Sequence, residues 1–315
     1  MQFVTKKSIE LTVEEKKGLV ELFNEVFFRE RTVEEFDRQY LNNPEGFSYH
    51  TFAIEDGKIV ASNSMVPSVY LYNGKQVRFV NSVDTMISEN HRGLENFYDM
   101  VKASFGDSEE RGYDAVYGFP NDNSYELFTK LRFMRDVGKL DTYCLPYRVG
   151  GVKKGLKVLN PLSMLFCRLW VSCCSLFAPK KKSTFFIEKE ASSFNLTRYK
   201  RGDGVYSVVD RLFAYKVMEF DDVRTAFIVD VFEKSAANFT KAVKYLIKNE
   251  KKNFDLVLYV GHLPFSSYGL IKFPRKYEPK HFNFTAGVLN KATIDKKALL
   301  DIDNWDINLS NYDVI

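Results

Sequence analysis

Residues 83–133 read VDTMISENHRGLENFYDMVKASFGDSEERGYDAVYGFPNDNSYELFTKLRF, and this stretch decides which fold the sequence predicts. Its apolar and turn-forming residues predict a strand, a turn, a helix, a second strand and a short second helix. These elements cover residues 80–87, 91–93, 94–105, 114–118 and 124–131. A helix that follows such a turn offers unpaired N–H groups and the positive end of its dipole, so we expect a site that can bind phosphate.

The stretch resembles the GNAT superfamily of acyl-CoA-dependent N-acyltransferases. The resemblance lies in the order of the elements, in the Arg-Gly turn at 92–93, in Gly-Tyr-Asp at 112–114 and in Lys-Leu-x-Phe at 130–133. It implies that the turn cradles the pyrophosphate of coenzyme A, and that the acyl-pantetheine arm lies where the two strands diverge. The family fold would span most of residues 1–145.

The resemblance also implies which residues bind the co-substrate, which would be acetyl-CoA or another acyl-CoA. The implied cofactor-binding residues are Met86, Ile87, Arg92, Gly93, Leu94, Asn96, Asn121, Asn123 and Ser124. The last three either hydrogen-bond the pantetheine arm or cap the helix that starts there, and a cap is expected at Asn123 or Ser124.

Two residues are candidate catalytic groups. Asp84 lies on the strand that would face the acyl group, where its carboxylate could deprotonate an ammonium directly or through water. Alternatively, neighbouring hydroxyls hold this carboxylate in a purely structural role. Tyr125 is a candidate acid for the leaving thiolate, because Phe128 stands where the family often has a tyrosine.

Three residues depart from the family pattern and favour a different class of protein. Glu95 places a carboxylate near the expected pyrophosphate, which is unfavourable unless the side chain turns away. Phe97 replaces a small residue, and Phe128 cannot donate a proton. These residues favour an alternative, a non-catalytic binding or scaffold protein that has lost cofactor use.

The composition of the 315-residue chain predicts two domains and no nucleic-acid partner. The chain is 45% hydrophobic and 15% aromatic, which supports substantial cores. Its net charge of +4 gives no general attraction to nucleic acid. The four cysteines lack metal-binding spacing, and the chain start lacks the apolar core of a signal peptide. We therefore expect no metal site, reduced thiols and a cytoplasmic protein.

The first domain, residues 1–148, is predicted to begin with two helices and an antiparallel meander. Capping boxes at 12–15 and 32–35 predict the helices. Asp56-Gly57 and Asn73-Gly74 predict tight hairpin turns between strands.

Residues 149–184 are predicted to be a basic and apolar linker with a helix over 159–178. Arg168 interrupts the apolar run, and three lysines follow it at 180–182. The arginine and the modest length argue against a membrane span. Two interpretations remain: a bridging helix buried against the domains, or an interfacial helix in peripheral contact with the inner membrane.

Residues 185–315 are predicted to form a second, degenerate GNAT-like domain. A turn at 203–204, strands at 205–209, 224–232 and 255–261, a helix at 235–249 and a short helix ending at 271 are expected there. Residues 255–268 weakly repeat residues 114–125. No Arg-Gly turn precedes the helix, so this domain should not bind a cofactor phosphate in the same way.

The predicted fold class is therefore α/β (α+β), with tandem GNAT-like domains whose mixed, mainly antiparallel sheets are flanked by helices. The predicted activity is acyl transfer from acyl-CoA to a small-molecule amine, with an amino sugar of cell-surface polysaccharide biosynthesis as one acceptor. An aminoacyl-tRNA-dependent transferase of the same two-domain plan is a second alternative, and the low net charge argues against it.

Overall fold

The chain folds into two compact units, in a computed structural model that describes residues 1–199, 206–278 and 281–312. Unit 1 consists of Met1–Lys139, Phe186–Asp203 and Phe282–Trp305, and unit 2 of Leu140–Phe185, Gly204–His281 and Asp306–Ile315. The units therefore alternate along the chain, whereas the sequence predicted contiguous domains over 1–148, 149–184 and 185–315.

Strands and helices are numbered in chain order. The strands are β1 Val4–Lys7, β2 Tyr49–Glu55, β3 Lys58–Tyr72, β4 Lys75–Ile87, β5 Ala115–Gly118, β6 Arg135–Lys139, β7 Asp141–Pro146, β8 Ile187–Lys189, β9 Ser207–Val209, β10 Phe213–Phe220, β11 Val223–Val231, β12 Leu256–Gly261, β13 Ile271–Lys272 and β14 Asn283–Val288. The helices are α1 Val13–Phe27, α2 Val33–Leu41, α3 Leu94–Glu110, α4 Asp122–Lys130, α5 Val149–Val152, α6 Asn160–Phe177, α7 Ala191–Arg198, α8 Ala236–Asn249 and α9 Lys296–Leu299.

The sheet of unit 1 has the strand order β1-β2-β3-β4-β5-β14-β6, and β8 pairs with β3. Neighbours are antiparallel except β4 and β5, which are parallel and joined by α3. Successive strand residues face opposite sides. Phe52 packs in the core with α1 and α2, and Ala53 packs in the core with α3 and α4. Helices therefore cover both faces of this sheet.

Both predicted hairpin turns and both predicted capping boxes are confirmed. Asp56-Gly57 and Asn73-Gly74 each combine φ angles of 49° and 76°, the left-handed conformation that tight primed turns require. Thr12 and Thr32 close the capping boxes at the starts of α1 and α2. These signals are local, so sequence alone was sufficient to place them.

Unit 2 repeats the plan with a second sheet, in the strand order β13-β7-β12-β11-β10-β9. The hairpin β10-β11 leads into the parallel step β11-α8-β12, just as β3-β4 leads into β4-α3-β5. α6 and α8 pack into the core of this sheet, for example through Val171 and Val243. The predicted class of two mainly antiparallel sheets flanked by helices is confirmed.

Each sheet contains one strand from a distant part of the sequence. β14 lies between β5 and β6 in unit 1, and β7 lies between β12 and β13 in unit 2. This exchange is why the compact units differ from the contiguous domains predicted. A local hydrophobic pattern indicates that a segment is a strand, but not which sheet it joins.

Three local predictions also differ from the structure. Residues 262–270 form no helix, and strand β13, which pairs with β7, begins at residue 271, where the predicted helix should end. Residues 149–152 form α5, and a Cβ on Gly151 would lie 2.4 Å from the Asp255 carboxyl carbon, so this glycine permits close packing. α3 continues to Glu110, five residues beyond the predicted end. The turn predicted at 203–204 lies outside the described residues.

Trp305 is the largest fully buried side chain of unit 1. It is 0% exposed, and its indole N–H donates to the Leu299 carbonyl at 2.8 Å. Its ring lies 4.9 Å from that of Phe284 and 5.8 Å from that of Tyr70, measured between centroids. Trp305 therefore joins β14 to β3 across the sheet.

Replacing Trp305 by alanine should lower the free energy of unfolding by about 3–5 kcal/mol, because it leaves a large cavity. The chain's other tryptophan, Trp170, is 38% exposed and is the matched control. Trp170→Ala should cost less than about 1 kcal/mol. Urea denaturation of both variants measures the difference, and equal losses would contradict this account of the core.

Candidate functional site

Strands β4 and β5 diverge in the middle of the unit 1 sheet. Their pairing ends at Asn81 and Tyr117, although β4 continues to Ile87. In the described part of the chain, the β5-facing edge of residues 82–87 therefore has no strand partner. An extended ligand can hydrogen-bond to such an edge as an added strand would.

A β-bulge bends β4 within this free stretch. Ser64 of β3 pairs with Val83, whereas Ser62 pairs with Met86, so β4 has one residue more than β3 here. Asp84 in the bulge has a φ of 47°, a left-handed conformation that Asp tolerates better than most residues. Bulges are common beside active sites because they re-aim side chains and interrupt strand pairing.

Asn63 of β3 holds the bulge in place. Its side-chain oxygen accepts hydrogen bonds from the hydroxyls of Ser82 and Thr85, at 3.2 and 3.0 Å. Its amide nitrogen donates to the hydroxyl of Ser104 in α3 at 2.8 Å. Because Asn63 is fully buried, this network links the shape of β4 to the position of α3.

The Asp84 carboxylate is bound by two residues from the N-terminal part of the chain. Arg31 Nη1 donates to Asp84 Oδ2 at 2.6 Å, and the Tyr40 hydroxyl donates to the same oxygen. The Arg31 guanidinium also lies over the ring of Phe23, 3.3 Å from its centroid. The carboxylate is therefore fixed by a cation and a hydroxyl.

Burial and charge set the protonation states of these partners. Burial acts to lower the pKa of Arg31, but attraction to the Asp84 carboxylate, together with hydrogen bonds, outweighs it and raises the pKa overall. Burial raises the pKa of Tyr40 well above its usual range, and the Asp84 carboxylate raises it further. Arg31 therefore stays charged and Tyr40 stays protonated.

The buried residue His50 packs against Tyr40 of this network. His50 Nδ1 lies 2.9 Å from the hydroxyl of Ser64, and Nε2 lies 2.9 Å from that of Ser8. The ring packs edge-on against Tyr40, with centroids 4.6 Å apart. Burial, with the charge of Lys16 as a second cause, lowers the pKa of His50 to about 3. The imidazole is therefore neutral at pH 7.

The N-terminus of α3 faces open space. The turn before it is a short 3₁₀ helix, Glu89–His91, rather than the predicted turn at 91–93. Gly93 is extended, with a φ of 177°, and a Cβ there would meet nothing within 4 Å. Among the described residues no side chain caps α3, and Leu94 at its start is exposed. The first N–H groups of α3 are therefore available to an anion.

Charges of both signs lie at this terminus. Arg92 is exposed, and its Nε lies 3.5 Å from the Ile87 carbonyl. Glu95 is also exposed in the first turn of α3. Asn96 donates from its side chain to the His91 carbonyl at 2.8 Å, which ties the turn to the helix. Arg92 and the helix dipole attract an anion, and Glu95 opposes them.

Asn121 caps α4, its Oδ1 accepting from the Ser124 backbone N–H at 3.0 Å. The cap predicted at Asn123 or Ser124 is therefore wrong, because the helix begins at Asp122, earlier than predicted. Asn123 is exposed. Asn283 of β14 donates to Asp122 Oδ1 at 3.1 Å and fixes the start of α4 to the sheet.

Tyr125 and Phe128 of α4 lie in different surroundings. Burial raises the pKa of Tyr125, as do a hydrogen bond to Asp136 and its charge, so the phenol stays protonated. Phe128 is 2% exposed and packs against Phe97 and Phe105 of α3. Phe128 is therefore a core residue, whereas the Tyr125 hydroxyl has a polar partner.

The topology brings the predicted segments to one edge of the sheet. α3 follows the carboxyl end of β4, α4 follows that of β5, and the two strands are parallel. The starts of both helices therefore lie at the same edge. The Met86 side chain is buried in one core, and the Ile87 side chain is half-buried against the other. Both residues can serve a ligand through their backbones.

Sequence reasoning missed Arg31, Tyr40 and Asn63. Their roles depend on contacts with residues that are distant in sequence, and their local patterns gave no signal beyond helix and strand. Among the described residues, no group of three or more His, Cys, Asp or Glu side chains could hold a metal ion.

The corresponding helix of unit 2, α8, has a capped N-terminus. Ser235 accepts a hydrogen bond from the Asn238 backbone N–H at 3.2 Å. The side chain thus occupies one of the N–H groups that an anion would use. Unit 2 has the parallel step of unit 1 without its open helix terminus.

Known proteins share this fold. Residues 8–131 match the family model for the acetyltransferase (GNAT) domain. A GCN5-related N-acetyltransferase from Anabaena variabilis gives a TM-score of 0.56 at 13% identity, over 92% of this chain and 73% of that one. A conserved protein of unknown function from Enterococcus faecalis, described as a probable N-acyltransferase, gives 0.55 at 12% identity, over 92% and 73%. Eis1 from Mycobacterium abscessus gives 0.55 at 10% identity, over 92% and 74%. No curated protein matches the sequence.

The buried, neutral His50 should make stability depend on pH. Its pKa is about 3 in the folded chain and about 6.5 when unfolded, so the unfolded state binds the extra proton between these values. The free energy of unfolding should therefore fall by up to about 1.4 kcal/mol per unit as pH decreases below 6.5. In urea denaturation at pH 7, 6 and 5, His50→Gln should flatten this slope. An unchanged slope in the variant would assign the effect to other groups.

Proposed function

Because residues 8–131 are a GNAT acetyltransferase domain, we propose that the protein transfers an acyl group from acyl-CoA to an amine. One observation carries the proposal: β4 and β5 diverge, and the free edge of β4 leads directly to the open N-terminus of α3. An extended pantetheine arm and a pyrophosphate require these two features in this order.

In this proposal the pyrophosphate binds at the first turn of α3. Gly93, Leu94 and Asn96 offer backbone N–H groups, and Arg92 offers a positive charge. The pantetheine arm runs along β4, where Met86 and Ile87 hydrogen-bond through their backbones. Asn121, Asn123 and Ser124, at the start of α4, border the other side of this groove.

In the proposed chemical step the acceptor amine attacks the thioester of the bound acyl-CoA. The lone pair of the amine nitrogen attacks the carbonyl carbon, the C–S bond breaks, and the sulfur leaves as a thiolate. Asp84 takes the ammonium proton directly or through water, from a position fixed by Arg31 and Tyr40. Tyr125, whose raised pKa keeps its hydroxyl protonated, gives a proton to the thiolate.

The acceptor that we propose is a small-molecule amine, and an amino sugar of cell-surface polysaccharide biosynthesis is the specific candidate. The reaction would take place in the cytoplasm. The sugar rests on the family resemblance alone. An aminoacyl-tRNA donor is less favoured, since a net charge of +4 gives little attraction to a polyanion.

A non-catalytic binding or scaffold role is the second candidate. The exposed Glu95 in the first turn of α3 opposes phosphate binding. Phe128, fully packed in the core, cannot supply a proton. A scaffold role is compatible with the same fold, but it predicts that the protein has no affinity for coenzyme A.

Titration calorimetry with coenzyme A and acetyl-CoA tests the binding site. Arg92→Ala should weaken binding by about 1–3 kcal/mol, because it removes a charge-assisted contact. Glu95→Gln should strengthen binding by about 0.3–1 kcal/mol, because it removes a negative charge from the helix start.

Arg111→Ala is the matched control, since Arg111 lies at the opposite end of α3, paired with Asp107. It should leave the affinity unchanged. No heat of binding for the wild-type chain at millimolar ligand would reject the acyl-CoA proposal and favour the scaffold role.

A further inference from the structure

Helix α6 is held on unit 2 by one of its faces. Cys167 and Val171, one turn apart, are each 2% exposed and belong to the core of the unit 2 sheet. Ser163, one turn earlier, donates from its hydroxyl to the Tyr147 carbonyl at 3.0 Å. This row of contacts fixes the rotation of the helix, so its opposite face must point outward.

The outward face of α6 is apolar and uncovered. Its large side chains are between 38% and 79% exposed. They are Leu162, Leu165, Phe166, Leu169, Trp170, Leu176 and Phe177. Together with the exposed Cys173, they recur at intervals of three or four residues, which places them on one stripe. Of the two interpretations of this helix, its exposure favours an interfacial helix over a buried bridge. A patch of this kind is unusual on a soluble monomer unless it binds something.

The segment before α6 extends the same surface. Residues Lys154–Leu159 form a 3₁₀ helix with no buried residue. Val158 is 89% exposed and Leu159 45%. The apolar surface therefore begins before the helix and continues along it.

Lysines flank this surface at both ends, and the segment that forms it contains no acidic residue. Residues 149–187 contain seven of the chain's 45 basic residues and none of its 41 acidic residues. Three lysines precede α6 and three follow it, and all six are exposed: Lys153, Lys154, Lys157, Lys180, Lys181 and Lys182. Lys182 pairs with Glu233 at 4.0 Å. The segment is thus more positive than the whole chain, whose net charge is +4.

We propose that α6 and its two basic flanks dock unit 2 on an anionic lipid surface. An outward apolar stripe of leucine, phenylalanine and tryptophan, with lysines at both ends, suits a helix lying in the plane of a membrane interface. The apolar side chains enter the boundary between head groups and acyl chains, and the lysines meet anionic head groups.

The same contacts distinguish this arrangement from a membrane span. By length and composition, the 24 residues Lys154–Phe177 are sufficient to cross a membrane. However, the face with Cys167 and Val171 is packed in a protein core, and Arg168 at mid-helix donates to the Tyr147 hydroxyl at 3.0 and 3.1 Å. A helix attached to unit 2 along one side can enter a bilayer only to the depth of its free side.

Vesicle co-sedimentation of the 315-residue chain tests the proposal. Vesicles of phosphatidylcholine alone are compared with vesicles that contain phosphatidylcholine and phosphatidylglycerol in equal amounts. The wild-type chain should bind the anionic vesicles and be released by high salt. The triple variant Lys180→Gln/Lys181→Gln/Lys182→Gln should bind roughly 100-fold more weakly. The triple variant Lys291→Gln/Lys296→Gln/Lys297→Gln, on exposed lysines of unit 1, should bind like wild type.

A second pair of variants tests the apolar stripe. Phe166→Ser/Leu169→Ser should weaken binding at least about 10-fold. Ile9→Ser/Val13→Ser, at two exposed apolar residues of unit 1, should have no effect. Circular dichroism and thermal unfolding verify that each variant is folded, and only folded variants are compared.

Two outcomes would overturn the proposal. One is no binding of the wild-type chain to anionic vesicles. The other is a dimer in sedimentation velocity that Phe166→Ser/Leu169→Ser dissociates and that does not bind vesicles, which would assign the stripe to a second copy of the chain. Binding of coenzyme A is independent of both outcomes, so the acyl-transfer proposal stands or falls separately.

Discussion

A bulge at Asp84 bends β4 after its last pair with β5, and the shape of the candidate site follows from this bend. The extra residue interrupts pairing with β3, and the divergence leaves the other edge of β4 open. Asn63 fixes the bulge to α3, and Arg31 with Tyr40 fixes the Asp84 carboxylate. The bulge in β4 therefore positions three parts of the candidate site. These are the open edge of β4, the N-terminus of α3 and the Asp84 carboxylate.

The two units share a plan and differ at the point where a ligand would bind. Both have a hairpin, a parallel step and an added antiparallel strand. In unit 1 the helix of the parallel step has an uncapped N-terminus among the described residues, whereas Ser235 caps the equivalent α8 in unit 2. The cap on α8 therefore adds to the missing Arg-Gly turn as a reason to expect phosphate binding in unit 1 and not in unit 2. Unit 2 instead carries the exposed apolar helix α6.

The sequence was sufficient to predict those structural features that depend only on residues close together in the chain. The hairpin turns at Asn73-Gly74 and Asp56-Gly57, the capping boxes and the strand–turn–helix step have local causes, and the structure contains them. The exchange of β7 and β14 between sheets was not predictable, since the hydrophobic pattern of a strand does not indicate which strand it pairs with. The contact between Arg31 and Asp84 was also not predictable, because the two residues are 53 positions apart and no local pattern connects them. The exposure of α6 was left open because an apolar stripe does not reveal whether another surface covers it.

Hydrogen–deuterium exchange of the 315-residue chain, with and without saturating coenzyme A, tests whether the cofactor binds unit 1 along β4 and the start of α3. We expect slower exchange in the ligand-bound chain at residues 82–96, which cover the free edge of β4, the turn and the start of α3. We expect no change in exchange at residues 232–240, around the start of α8. Protection at 232–240 without protection at 82–96 would place the cofactor site in the wrong unit and contradict the account.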